Sequence, residues 1–181
     1  MTVLTAARPK EIFLGRFVKP FGIKGELKFV GSDDFWYDAL GSRRLELRRI
    51  VDDGGVERRA VTIVAVRPHG SHYVVRVEGV ESRNDAEHEV GGELFIDSDK
   101  IDVDPPKEER PYQVVGLTVR TEDGKELGRI RSVIFSAAHP VYDVSGDEGD
   151  VMIPAVPEFV ISKDDEAGVI TIRPIPGLLD G

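Results

Sequence analysis

Sixteen residues, Leu14 to Phe29, constrain the fold more than any other stretch of the chain. They read as two apolar strands joined by Pro20-Phe21-Gly22-Ile23-Lys24-Gly25. Pro20 fixes its own φ, while Gly22 and Gly25 are free to take the positive φ that other residues avoid, so a tight bend is expected here. After the bend Ile23, Leu27 and Phe29 are apolar, and Lys24, Glu26 and Lys28 fall on the opposite parity. That is the period-two pattern of a strand with one wet face. A bend carrying lysines and an outward Phe21 is a candidate handle for a partner. The residues alone favour a structural hairpin whose glycines serve backbone geometry.

Short strand-like runs recur at Leu45–Leu47, Ala60–Val66, Tyr73–Val77 and Leu94–Ile96. Asp52-Asp53-Gly54-Gly55, Pro68-His69-Gly70-Ser71 and Gly91-Gly92 supply the turns between them. One helix is expected over Arg83–His88, with Ser82 at its N-cap and Asp85 three residues on. A second short helical or irregular piece fits Phe35–Leu40. From Asp97 to Pro111 the chain turns charged and proline-rich, with few large apolar residues, which reads as a domain boundary. Strands then resume over Val114–Thr121 and Glu126–Phe135, with Glu122-Asp123-Gly124-Lys125 as the turn. Further strands fit Val141–Val144, Val151–Ile153, Phe159–Ile161 and Val169–Ile172. Many short strands with Gly and Pro turns argue for an all-β chain, barrel or sandwich. The division expected is one domain over residues 9–97, a linker over 98–111 and a second domain over 112–181.

Charge divides unevenly between the halves. Residues 1–100 hold 16 basic and 17 acidic side chains, whereas residues 101–181 hold 8 and 16, so nearly all of the net charge of −9 lies in the second half. An acidic surface does not bind nucleic acid by neutralising phosphates, but it speeds encounter with a basic protein. Solubility is the competing explanation. In the first half Arg43, Arg44, Arg48, Arg49, Arg58 and Arg59 cluster, and Arg44, Glu46 and Arg48 share one strand parity. A mixed solvated surface is the favoured reading of that cluster, with an RNA-contacting patch as the alternative.

No cysteine is present, which removes disulfides, thiolate metal sites and cysteine nucleophiles together. His69 and His72 flank a turn without a third ligand nearby, and Asp97, Asp99, Asp102 and Asp104 lack the glycine and closing glutamate of a calcium loop. No phosphate-loop, Gly-x-Gly-x-x-Gly or Gly-x-Ser-x-Gly pattern occurs. The expectation is therefore a protein that is not an enzyme and uses no cofactor or metal. No apolar run approaches the length needed to span a bilayer, and a cytoplasmic location is expected.

Gly15, Gly22, Ile23, Lys24, Gly25 and Glu26 match the N-terminal signature of the RimM family of ribosome maturation factors, and the chain resembles that family from about Ile12 to Leu179. It departs at Phe21, where many relatives carry histidine. Val64 to Gly70 followed by Val74 to Val80 resembles the family's strand–turn–strand, and Ser82-Arg83-Asn84-Asp85-Ala86-Glu87 its characteristic helix. Gly91 to Ile96 is similar to the strand that closes its first domain. Beyond the boundary, Val115 to Val119 and Gly128-Arg129-Ile130 look like the opening of a PRC barrel. Val151 to Val156 and Pro176-Gly177-Leu178-Leu179 look like its ending. The family's adjacent tyrosines before that barrel are reduced here to Tyr112.

The resemblance implies two small β-barrel domains, an N-terminal translation-factor-like barrel and a C-terminal PRC barrel, with one or two short helices. It implies a non-enzymatic assembly factor for late maturation of the 30S subunit head, needed for efficient 16S ribosomal RNA processing. The partners implied are small-subunit ribosomal protein nineteen, which is basic, the 30S precursor and its 16S RNA, with the factor acting as a monomer away from membranes. Lys19, Phe21, Lys24 and Lys28 are then the candidate ribosome and RNA contacts, and Tyr112, Gly116 and Leu117 the candidate contacts to the ribosomal protein. The alternative is a general RNA-binding β-barrel module of translation not tied to subunit maturation.

Overall fold

The computed structural model describes residues 9–174 and 176–177 and divides after Arg110 into two compact units. The Leu178-Leu179 end of the family-like tail lies outside the described residues.

The first unit, Lys10–Arg110, is built on seven strands: β1 (Glu11–Phe21), β2 (Glu26–Gly31), β3 (Leu45–Ile50), β4 (Val56–Ala60), β5 (Ile63–His69), β6 (His72–Val77) and β7 (Glu93–Asp97). They form one antiparallel sheet in the order β4-β3-β7-β1-β2-β6-β5. β1 is central because it alternates: Ile12, Leu14 and Phe17 are buried on one side, and register shifts after Phe13 and Phe17 keep that side inward through eleven residues. Phe17 packs edge-on to Phe29, and the ring-to-ring packing continues through Phe35 to Tyr73. These aromatics close the inner face where a chain with few large residues most needs volume. A single 3₁₀ turn, Tyr37–Gly41, stands where a short helical piece was expected.

α1 (Arg83–Glu89) begins as its sequence requires. The Ser82 hydroxyl accepts from the Asp85 amide at 3.1 Å, and the Asp85 carboxylate accepts from the Ser82 amide at 3.0 Å. This reciprocal cap satisfies two amides that a helix start leaves open. Ala86 is buried beneath the helix, which packs on β1 and β2.

The second unit begins at Pro111 with one helical turn, α2 (Pro111–Val114). Six strands follow: β8 (Thr118–Thr121), β9 (Glu126–Phe135), β10 (Pro140–Gly146), β11 (Gly149–Pro154), β12 (Val160–Asp164) and β13 (Val169–Ile172). Their order is β11-β10-β9-β8-β13-β12, antiparallel throughout except for β13 beside β8, which run parallel. Val119, Ile130, Tyr142, Val144, Ile153, Ile170 and Ile172 make the core.

The all-β class with few short helices is what the structure has. Among the described residues, neither sheet closes into a barrel by a continuous ladder, so β4 and β5 end one sheet and β11 and β12 the other. Three local expectations need correction. Ala60–Val66 is not one strand, because the chain corners at Val61, which is buried and donates its amide to Leu45. The run Val114–Thr121 is not one strand either: Val114 belongs to α2, Gly116 turns at φ +90°, and β8 starts only at Thr118. Ile23 does not share the buried parity of Leu27 and Phe29, because it sits in the bend and is 77% exposed. The boundary segment is also less free than its composition suggests. Asp102 accepts hydrogen bonds from the Ser42 hydroxyl and the Arg43 amide, and Trp36 Nε1 donates to the Asp104 carbonyl at 2.8 Å. Residues up to Asp104 therefore lie against the first unit.

Candidate nucleic-acid interface

Three ladders of the first unit decide which side chains share its outer surface. β1 sets Lys19 opposite Lys28 and Phe21 opposite Glu26. β2 sets Lys28 opposite Val74 and Glu26 opposite Arg76, and β6 sets Val74 opposite Arg67. Directly opposed residues project to the same side of a sheet. With Leu27, Phe29 and Val75 committed to the core on one side, Lys19, Phe21, Glu26, Lys28, Arg67 and Arg76 share the other, where Val74, between Lys28 and Arg67, is itself covered. Three of the four expected RNA-facing residues thus meet on one face. Lys24 stands beside them, exposed at the tip of the bend.

The bend is held, not loose. Gly22 and Gly25 have φ of +70° and +80°, as the spacing required. The Arg83 amide donates to Ile23 O at 3.1 Å and its guanidinium to Gly22 O at 3.3 Å, so the start of α1 braces the tip. The Phe21 ring has the His69 ring on one flank at 5.0 Å and the Arg67 guanidinium at 5.0 Å from its centre. Glu26 holds that guanidinium with a 3.2 Å ion pair.

The charges on this face are unbalanced. Among the described residues Lys19, Lys24, Lys28 and Arg76 make no ion pair, and Glu26 is the only carboxylate in the opposed rows. Lys19 directly opposite Lys28 opposes folding, since like charges across a ladder repel. A polyanion laid across the strands would relieve it. An aromatic ring with a fixed guanidinium at its side also suits stacking by an unpaired base. Arg67 and Arg76 were not singled out from the sequence, and His69 was weighed only as a metal ligand; the alternation of β5 and β6 carried part of the signal, but their neighbours on β1 and β2 did not.

The second unit places its expected contacts differently. Tyr112 is 8% and Leu117 3% exposed, and Leu117 belongs to the core, so the apolar anchor expected there does not stand on the surface. Gly116 is half-buried and donates its amide to Ile130 O at 2.9 Å. Exposed apolar side chains lie instead on β9 and β11, where Ile134, Phe135 and Met152 are 44%, 46% and 50% exposed. Ile134 lines up with Val141 and Pro154 across the ladder, and Met152 with Asp143. Arg131 bonds Asp143 at 2.9 Å and Asp150 at 3.1 Å beside them, and its guanidinium holds the Asp143 carboxyl below the usual carboxylate range.

Comparison with known proteins follows these two units. The model of the RimM N-terminal domain matches residues 12–101, and that of the RimM PRC barrel domain matches residues 112–178. The chain is 38% identical over 159 residues to the ribosome maturation factor RimM of Prosthecochloris aestuarii, covering 88% of this chain and 92% of that one. It is 31% identical over 172 residues to the ribosome maturation factor RimM of Geobacter metallireducens, covering 93% and 95%. A RimM crystal structure from Pseudomonas aeruginosa aligns at 25% identity with a TM-score of 0.44, covering 92% of this chain and 98% of that one.

Proposed function

This chain belongs to the RimM family of ribosome maturation factors, and on that premise we propose that it is a non-enzymatic assembly factor for the head of the small ribosomal subunit. Its binding promotes late folding of the head and so permits efficient processing of 16S RNA. The first unit meets head RNA through Lys19, Phe21, Lys24 and Lys28, joined by Arg67 and Arg76. The second unit, which carries the acidic excess, engages a basic head protein, small-subunit ribosomal protein nineteen. Tyr112, Gly116 and Leu117 position the entry to that unit, and the exposed apolar side chains of β9 and β11 make the contact. The factor works in the cytoplasm as a monomer and needs no cofactor.

One observation carries this reading: Lys19 and Lys28 are opposed across a ladder without a counter-charge, beside an aromatic ring fixed by Arg67. Such a face is costly to a free protein and useful against phosphates. The factor stabilises one RNA arrangement by its differential affinity for it and leaves when the mature head no longer matches.

A strain lacking the gene, complemented with wild type or with Lys19→Ala/Lys28→Ala, tests the proposal by gradient sedimentation and by the ends of 16S RNA. Wild type should ride with free small subunits and restore mature ends, and the variant should do neither fully. Equal presence on translating ribosomes, with normal 16S ends in the deletion strain, would favour a general RNA-binding module instead.

A further inference from the structure

A second face of the first unit, away from the bend, combines rings and guanidiniums in a different way. β7 sets Phe95 opposite Phe13 on β1, and the two rings lie 5.4 Å apart. Arg48 on β3 has its guanidinium 4.1 Å from the centre of the Phe95 ring. It is pinned there by Glu11 on one side, with Nη1 to Oε2 at 2.9 Å, and by Glu46 on the other. Arg16, paired with Glu93 at 3.3 Å, stands 5.8 Å from the Phe13 ring centre. Beside Phe95 opens a cleft of about 430 Å³, walled by Arg43, Arg44, Glu46, Arg48, Asp97 and Lys100 among others. Its size falls in the range of about 300–1,000 Å³ in which small ligands are held.

The pairing of charges here is not that of an ordinary solvated surface. The glutamates Glu11 and Glu46 are spent on fixing Arg48, whereas the Arg43, Arg44 and Arg58 guanidiniums make no ion pair among the described residues. Arg58 sits directly opposite Arg48 across the β3–β4 ladder, and the Glu11 carboxyl is held below its usual value by Arg48 and, further off, by Arg58. A fixed guanidinium on a ring offers a stacking surface, and arginines at the mouth whose guanidiniums make no ion pair among the described residues, though Asp102 stands near Arg44, suit phosphates. A duplex keeps its bases inside the stack and has nothing to insert.

From this geometry we infer that the cleft beside Phe95 takes one unpaired nucleotide of single-stranded RNA, with its base on the Arg48–Phe95 stack and its phosphates on Arg43 and Arg44. The inference deepens the reading that the first unit meets ribosomal RNA and rests on it.

The test uses the full chain and a single-stranded oligoribonucleotide bearing 2-aminopurine, whose fluorescence falls on stacking. Wild type should quench the single-stranded probe, and the same sequence as a duplex, whose 2-aminopurine is already stacked and dim, should bind more weakly as read by anisotropy of an end label. Phe95→Leu, which keeps apolar volume and removes the ring, should abolish the quench and weaken binding about tenfold. Arg43→Gln/Arg44→Gln should make the dependence of log K on log salt shallower by about 0.7 for each phosphate no longer neutralised. Lys19→Ala/Lys28→Ala should weaken binding while keeping the quench of the bound probe. Quenching unchanged in Phe95→Leu, with binding abolished only in the lysine variant, would overturn the cleft and leave the bend as the RNA face. Competition by adenosine monophosphate at the same nucleotide concentration would make the cleft a free-nucleotide site and overturn the RNA assignment. Failure of wild type to bind the probe at all would overturn it too, while association with small subunits on gradients judges the wider reading separately.

Discussion

At Gly22 and Gly25 the same backbone requirement meets different surroundings. Both take positive φ, which costs a residue with a side chain about 1–2 kcal/mol. A Cβ at Gly22 would meet nothing within 4 Å, whereas one at Gly25 would lie 2.4 Å from the Val80 carbonyl. Gly22→Val should therefore cost roughly the conformational term, and Gly25→Val distinctly more. Trp36, the single tryptophan and a core residue of the first unit, reports the difference as a shift in urea midpoint. The lysines at the same bend should behave in the opposite way. Lys19→Ala/Lys28→Ala removes a repelling pair, so the Trp36 transition should stay in place or move up, while association with small subunits weakens. A fall in stability together with normal association would make the bend a structural hairpin and nothing more.

Strand pairing, not strand identity, set most of what the residues came to mean. The reciprocal cap of α1 was legible because capping is local: Ser82, Asp85 and the helix they start lie within a few residues. Ser82→Ala should cost about 1 kcal/mol in the first unit, read by the same fluorescence. The Asp143–Arg131 pair was not legible, since it depends on β9 lying against β10. Its pH behaviour follows from the sign of the shift. The folded carboxyl titrates below its unfolded value of about 3.9, so its stabilising contribution is full above that value and is lost as pH falls through the folded one. Asp143→Asn should lower stability near neutrality and flatten the acid side of the second unit's unfolding profile, followed by far-ultraviolet circular dichroism. An acid limb unchanged in the variant would show that other carboxylates govern it.

Over the whole chain, the boundary is narrower than composition alone suggested. Asp102 and Asp104 are bonded to the first unit, which leaves Lys107, Glu108 and Glu109 as exposed residues outside regular structure just before α2. A glutamate-specific protease should cut first after Glu108 or Glu109 and release two folded fragments. Early cleavage inside β1–β7 or β8–β13 would contradict two independent units. The uneven charge belongs to the same scale. Association of the chain with a basic ribosomal protein should slow as salt rises, because exposed charges are screened beyond about 8 Å at physiological ionic strength. Met152→Ala should chiefly raise the dissociation rate, since its side chain is half exposed, whereas Tyr112→Ala should chiefly destabilise the second unit.

Local chemistry by itself determined the all-β class, the bend at Gly22–Gly25, the α1 cap and the break in composition before Pro111. Each rests on interactions within a few residues, so a linear reading reaches it. Only the tertiary structure decided that Val61 turns a corner, that β13 runs parallel to β8, and that Tyr112 and Leu117 are buried. It alone brought Arg67 to Phe21 and Arg48 to Phe95. Those placements depend on which strands pair and in what register. A one-residue slip would send every side chain of a strand to the other face, and the energy that forbids the slip comes from packing against residues far away in the chain.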